Sequence, residues 1–132
     1  MILHVMKFSI ITSIAALAAS TSALGINCRG SGLCPSDGAA GNLINLKAIV
    51  DGIQPRDRRY NTGQQIACTG SLCAFYQNGA TGTAEQTSGF LQALLDHKCK
   101  KCGSVPTQPG NDVSKGELTV NVVGDPHCQG AC

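Results

Sequence analysis

Eight cysteines in a chain of 132 residues constrain this fold more than any other feature of the sequence. They are Cys28, Cys34, Cys68, Cys73, Cys99, Cys102, Cys128 and Cys132. An even number of cysteines in a short exported chain predicts a disulfide framework, here of four bridges. Spacing alone leaves on the order of a hundred connectivities open.

The N-terminus indicates that the chain is exported. Lys7 precedes a mostly apolar run over residues 8–19, and small residues follow as far as Ala23. This order is typical of a secretory signal peptide, so we expect residues 1–23 to be removed. A membrane-spanning helix needs roughly 20 apolar residues, so an anchor is not expected. Residues 24–132 would then form one secreted, extracellular domain.

Composition excludes two classes of protein, a nucleic-acid-binding domain and a lytic peptide. The chain has 10 Lys and Arg against 8 Asp and Glu, and one lysine falls in the predicted signal peptide, which leaves one net positive charge. A nucleic-acid-binding domain is usually far more basic, and a lytic peptide needs a long cationic amphipathic face. With no Trp, the core is modest. Each disulfide would therefore matter, at about 2–4 kcal/mol.

The first amphipathic segment follows Asn42. Its apolar residues Leu43, Leu46, Val50 and Ile53 fall on one helical face, and Asn42 is a suitable N-cap. This pattern predicts a helix over residues 42–53.

A second helix is predicted from Thr83, where the sequence T-A-E-Q forms a capping box with Gln86. Its apolar residues recur at helical spacing and are Phe90, Leu91, Leu94 and Leu95. Cations cluster where it ends, as the helix dipole favours, and we expect Gly103 to stop it. These cations are His97, Lys98, Lys100 and Lys101.

The remaining segments predict strands. Residues 24–27 suit a short strand, residues 64–70 and 71–77 a hairpin with a Gly-Ser turn, and residues 117–123 a last strand. Residues 104–116 are expected to be a loop. Strand, helix, hairpin, helix and strand in this order predict an α+β fold. We expect a two-layer α/β sandwich, an antiparallel sheet with two helices packed on one face, stapled by disulfides.

No motif for catalysis is present. Paired carboxylates, G-x-S-x-G, H-E-x-x-H and a P-loop are all missing, so we expect no catalytic residue, no metal, no cofactor and no enzyme activity. Cys99-Lys100-Lys101-Cys102 has the spacing of a redox motif, but its place at a helix C-terminus favours structural disulfides. Zinc on Cys99, Cys102, Cys128 and Cys132 is an alternative that export disfavours, because oxidised sulfurs are not ligands.

Three ordered blocks of sequence resemble the KP4 killer-toxin family. They are L-G-I-N-C-R-G-S-x-x-C over residues 24–34, H-x-C-x-x-C-G-S-x-P over residues 97–106 and N-D-V-S-x-G-x-L-T-V-N over residues 111–121, with a weaker match at residues 41–43. The resemblance implies an α/β sandwich with an antiparallel sheet. It also implies a secreted toxin that inhibits growth of target fungal or plant cells by blocking calcium uptake through voltage-gated calcium channels.

The chain departs from the viral member of that family in several places. The viral toxin has more cysteines but none at the position of Cys73, and its tail after Val123 is shorter. It carries basic residues just before the equivalent of Cys68, and a lysine there is tied to channel action. Here those positions hold Gln64, Gln65 and Ile66. An alternative function is therefore a secreted effector that binds cell wall or a receptor without blocking a channel.

We expect two disulfides to tie the N-terminal strand to the end of the second helix, namely Cys28–Cys99 and Cys34–Cys102. Cys68 and Cys73 would then pair with Cys128 and Cys132, in either order.

Two basic clusters are candidates for target binding, although a solvated surface is the simpler explanation of each. The first is a loop with Arg56, Arg58 and Arg59, and the second holds Lys98, Lys100 and Lys101. The expected partner is a target-cell calcium channel or another surface protein. We expect no nucleic-acid partner, and a monomer.

Overall fold

The structure is a computed structural model that describes residues 24–34 and 41–132. The predicted signal peptide, residues 1–23, lies outside the described residues, and so does most of the predicted loop at residues 35–41. Among the described residues, no helix has both the length and the apolar character needed to cross a bilayer.

Two helices pack on an antiparallel sheet, which confirms the predicted α+β sandwich. Helix α1 spans Leu43–Asp51, helix α2 spans Ala84–Asp96, and a short 3-10 helix spans Val113–Lys115. The strands are β1 Arg59–Tyr60, β2 Gln65–Thr69, β3 Leu72–Gln77, β4 Gly82–Thr83, β5 Gly103–Pro106, β6 Glu117–Val122 and β7 Gly130–Ala131. The main sheet has the order β5-β6-β3-β2-β7, and β1 pairs with β4 in a separate ribbon.

Both helices begin where the sequence predicts. The Asn42 side chain accepts a hydrogen bond from the Asn45 amide at 2.8 Å, which caps α1. Thr83 and Gln86 form the predicted capping box, in which each side chain accepts a hydrogen bond from the other's backbone amide. Each cap satisfies amides that the first helical turn leaves without a partner.

The register of β3 and β6 defines the core face of the sheet. Side chains directly across the two strands are buried together, and the pairs are Leu72 with Val122, Ala74 with Val120, and Tyr76 with Leu118. The apolar stripe of α1 and the buried face of α2 join the same core, so both helices cover this one face.

The structure differs from the sequence prediction most clearly at the N-terminal segment and after residue 103, and it adds the short strands β1, β4 and β7. Residues 24–27 do not form a strand, because only Asn27 pairs in a bridge, with Ser104. The predicted loop after residue 103 begins instead with β5, which pairs antiparallel with β6 at the edge of the sheet. Pro106 closes this short edge strand, where a missing N–H is tolerated, so local composition hides a strand that tertiary pairing creates.

Four disulfides are formed, and half of the predicted connectivity is correct. Cys28–Cys99 and Cys34–Cys102 are confirmed. The predicted pairing of Cys68 and Cys73 with the C-terminal cysteines is wrong, since the bonds are Cys68–Cys73 and Cys128–Cys132. The hairpin register is the reason, because it sets Cys68 directly opposite Cys73 with their Cα atoms 4.1 Å apart.

Removing the long-range disulfide Cys28–Cys99 through two Cys→Ser substitutions should cost about 4 kcal/mol of unfolding free energy, because it links residues 71 apart. Removing Cys128–Cys132, whose cysteines are 4 apart, should cost about 2 kcal/mol. Urea unfolding followed by circular dichroism measures both. Equal losses would contradict the assigned pairing, as would a peptide map that links Cys68 to the C-terminal tail.

Two buried tyrosines differ in how their hydroxyl groups are satisfied. Thr87 Oγ1 donates to Thr83 O at 2.7 Å, so Tyr76 must donate its own proton to Thr87 Oγ1 at 2.8 Å. Burial is the main cause that raises the pKa of Tyr76 above its ordinary value. The Tyr60 hydroxyl is also buried, yet it has no hydrogen-bond partner within the described residues.

We therefore expect Tyr76→Phe to lower the unfolding free energy by about 1 kcal/mol, whereas Tyr60→Phe should be neutral or slightly stabilising. Since the pKa of Tyr76 is raised in the folded state, its contribution is present below about pH 10 and is lost as pH rises further. Unfolding curves at neutral and alkaline pH test both points. Equal effects of the two substitutions would refute this assignment of the hydroxyl groups.

Candidate functional site

The N-terminal segment is held against the sheet rather than within it. Asn27 exchanges two backbone hydrogen bonds with Ser104 of β5, at 2.9 and 3.0 Å. The Ile26 amide donates to Asn111 Oδ1 at 2.9 Å, and the Val113 amide donates to Leu24 O at 2.9 Å. Together with the two long-range disulfides, these bonds fix residues 24–34 beside the end of α2, the edge strand β5 and the short 3-10 helix.

Gly30 and Ser31 pass close to the Cys34–Cys102 disulfide. A Cβ on Gly30 would lie 2.5 Å from the Cys102 Cβ, so only glycine fits this close approach. The Ser31 amide donates to Asn121 Oδ1 at 2.9 Å. The glycine of the R-G-S sequence after Cys28 is thus explained by its close approach to the disulfide, and the Ser31 amide ties the segment to β6.

The blocks that carry the family resemblance therefore meet in one place. Residues 24–34 contact residues 97–106 through the disulfides and the bridge to Ser104, and they contact residues 111–121 through asparagine side chains. The weaker match at residues 41–43 joins them, because the Leu43 amide donates to Lys100 O at 3.0 Å. The shared motifs describe one structural junction.

Helix α2 ends in a Schellman motif with a lysine in place of the usual glycine. The Cys99 amide donates to Leu94 O and the Lys98 amide donates to Leu95 O, each at 3.0 Å. Lys98 has φ +71°, in the left-handed region. A side chain with a Cβ is disfavoured there by roughly 1–2 kcal/mol. Gly103, which we expected to stop the helix, starts β5 instead.

This turn carries the cationic surface that we call the basic end, formed by Arg29, Lys98, Lys100 and Lys101. A cleft of about 630 Å³ lies between the 28–34 segment and the turn, and all four cations line it. A second cleft, of about 510 Å³, shares the three lysines and adds Ile44 and Leu95. Within the described residues, no acidic side chain lines either cleft.

Sequence reasoning found the three lysines but missed Arg29. The signal was available, because the predicted bond from Cys28 to Cys99 places its neighbour Arg29 beside Lys98 and Lys100.

The predicted arginine cluster is structurally different, because each guanidinium has partners inside the protein. Arg56 donates to Val50 O at 2.7 Å and to Ser88 Oγ at 2.7 Å, so it caps α1 and links it to α2. Arg58 donates to the Cys132 carbonyl at 3.0 Å and lies 5.3 Å from the centre of the Tyr60 ring. Arg59 donates to Thr81 Oγ1 at 3.2 Å. The structure does not bring these arginines and the lysines together in one cleft.

The region just before Cys68 holds the C-terminal tail. Ile66 is fully buried. Gln65 donates to Asp125 O at 3.1 Å and accepts from the His127 amide at 2.7 Å. Strand β7 then pairs along β2. Gln65 and the Ile66 carbonyl, which accepts from the Cys132 amide at 2.9 Å, therefore help to anchor the tail at the edge of the sheet.

The cysteine sites considered for redox or zinc chemistry are disulfides. Cys99 and Cys102 are bonded to the N-terminal segment and not to each other. The sulfurs of Cys68, Cys128 and Cys132 lie within 4.8 Å of one another, but each belongs to a disulfide and so is not a thiolate ligand.

Lys98→Gly should raise the unfolding free energy by about 1 kcal/mol, because glycine adopts the left-handed conformation without a steric penalty. Lys98→Ala removes the same charge but keeps the Cβ, so it serves as the matched control. Thermal unfolding of both variants measures the difference. If Lys98→Ala stabilises the protein as much as Lys98→Gly does, repulsion among the lysines, and not backbone strain, is the cause.

The sequence of this chain is similar to that of a known protein family. The sequence profile of the Kp4 family matches residues 11–124. The KP4 killer toxin of Ustilago maydis P4 virus is 38% identical over 108 residues, an alignment that covers 76% of this chain and 80% of the toxin. Because the match extends over most of both chains and includes the residues of the junction, this protein belongs to the Kp4 killer-toxin family.

Proposed function

We propose that this protein is a secreted toxin that inhibits growth of target fungal or plant cells by blocking calcium uptake through voltage-gated calcium channels. Residues 1–23 direct export and are removed, and residues 24–132 act as a monomer outside the cell. Membership of the Kp4 family over residues 11–124 is the observation that carries this proposal. The action requires binding alone, with no catalytic residue and no cofactor.

The described fold is suited to work outside a cell. Its four disulfides persist in an oxidising environment and compensate for a core with few aromatic residues. The toxin family also suggests contact with the surface of a target cell.

The basic end is the docking surface that we favour. Lys98 and Lys100 are exposed, and the two long-range disulfides anchor the turn that carries them. The arginines of the 56–59 loop already donate to internal acceptors, so moving them onto a target would remove contacts that the fold uses. A channel vestibule or another anionic surface would attract the lysines at long range.

One observation favours a second candidate function. In this alternative the protein is an effector that binds cell wall or a receptor and does not block calcium channels. The positions before Cys68 carry no basic residue here, and Gln65 and Ile66 are used to hold the tail and the core. Any channel contact must therefore be made by a different surface from the one tied to channel action in the viral toxin.

The test is calcium uptake in fungal and plant cells exposed to the purified oxidised protein, with a reduced and alkylated sample as control. We expect uptake to fall only with the oxidised form, and growth to recover as external calcium is raised. Lys98→Ala with Lys100→Ala should weaken the block, whereas Lys47→Ala with Lys115→Ala, which removes the same charge elsewhere, should not.

Unchanged uptake across a broad panel of sensitive cells would exclude the channel mechanism. The alternative then predicts that the protein sediments with insoluble glucan or chitin, or binds a cell-surface receptor, at any calcium concentration.

A further inference from the structure

We infer that the basic end and the two aliphatic side chains beside it, Leu33 and Ile44, form a docking surface for membranes rich in anionic phospholipids. This inference goes beyond the proposed function, and it rests on that function only in placing the protein at a target cell. The surface would concentrate the toxin on the bilayer before any protein target is engaged.

The first argument is that three cations of the basic end have no direct partner among the described residues. Within the described residues, no ion pair or side-chain hydrogen bond holds Arg29, Lys98 or Lys100, and no carboxylate lines the two clefts. The helix dipoles oppose each other at this turn, so the potential comes mainly from the side chains. The carboxyl end of α2 precedes the turn, and the amino end of α1, whose first turn holds no acid, reaches it through the hydrogen bond from the Leu43 amide to Lys100 O. The nearest acid along the chain, Asp96, accepts a hydrogen bond from Gln92.

The second argument is the exposed apolar surface at the same place. Leu33 is 63% exposed and Ile44 is 68% exposed, and the third large apolar side chain exposed in the described part of the chain is Leu24. Leu33 lies between two residues that line the first cleft, and Ile44 lines the second together with Leu95. Aliphatic side chains flanked by lysines are typical of surfaces that lie in the lipid headgroup region.

The third argument concerns which anionic partner fits. Three of the four cations are lysines, which act as flexible point charges, whereas planar bidentate recognition of a protein carboxylate favours arginine. The three lysines line both clefts, so their charges are gathered at one end of the molecule together with Arg29. A neutral wall polysaccharide would complement neither the charges nor the aliphatic side chains, but an anionic bilayer complements both.

The backbone of Lys98 supports the same reading. Glycine would adopt this left-handed conformation without backbone strain, yet the chain keeps a long cationic side chain there. Strain retained at a surface turn is explained if the ammonium group serves in binding.

The test is sedimentation of the oxidised protein with vesicles of phosphatidylcholine alone and of phosphatidylcholine mixed with phosphatidylserine. We expect binding to the mixed vesicles only, weakened by salt. Lys98→Gly with Lys100→Ala should reduce the partition coefficient about 25-fold, at about fivefold for each cation. Because Lys98→Gly is expected to stabilise the fold, the loss cannot be ascribed to unfolding.

Two further variants sharpen the result. Leu33→Ser with Ile44→Ser should reduce binding to the mixed vesicles about tenfold, and both side chains are exposed, so the fold is kept. Lys47→Ala with Lys115→Ala should leave binding unchanged. Lys47 lies one helical turn from Ile44, but its charge is paired with Asp51, and Lys115 lies just before β6, at the end of that strand opposite to the basic end.

Absence of vesicle binding, equal binding to neutral vesicles, or an equal loss in the Lys47 and Lys115 control would each overturn the inference. The outcome is separable from that of the proposed function. Block of calcium uptake without vesicle binding removes the membrane step alone. Vesicle binding with unchanged calcium uptake retains the docking surface and removes the channel mechanism.

Discussion

The fold depends on two covalent links between segments far apart in sequence. Cys28–Cys99 and Cys34–Cys102 join residues 71 and 68 positions apart, and they hold the N-terminal segment against the turn after α2. Without them, that segment would be secured to the sheet by one bridge and a few hydrogen bonds. The disulfides therefore set the geometry of the basic end as well as contributing to stability, because its four cations lie beside the linked cysteines.

Local sequence signals were sufficient for the elements that begin at a cap or carry a clear periodicity. Asn42 and the Thr83 capping box located both helices. β-Branched and aromatic residues on either side of a Gly-Ser turn located the hairpin, and alternation located β6. The short strands β1, β4, β5 and β7 were not predicted. Strands β5 and β7 consist of four and two residues whose extended form comes from pairing with β6 and β2, and β1 and β4 pair only with each other. Tertiary pairing of this kind leaves little trace in composition.

The wrong disulfide prediction has a different origin, because the predicted hairpin is sufficient to determine which cysteine lies opposite Cys68. A two-residue turn at Gly70-Ser71 places Thr69 opposite Leu72, and so places Cys68 opposite Cys73. The predicted strands and turn are correct, and their register alone determines the Cys68–Cys73 bond. For the candidate site, the sequence identified the lysines. It could not show that the arginines donate to internal carbonyl and hydroxyl groups, because those acceptors come from distant segments such as Ser88 and Cys132.

The turn after α2 shows how a rigid frame tolerates a strained residue. Its hydrogen bonds satisfy the last carbonyls of the helix, and its two disulfides keep it in place. Within that rigid frame, Lys98 holds a conformation that glycine would adopt more easily. The cost of roughly 1–2 kcal/mol is tolerable only because the surrounding structure over-determines the turn. The two disulfides that hold this turn thus allow a lysine at a position where backbone strain alone would favour glycine.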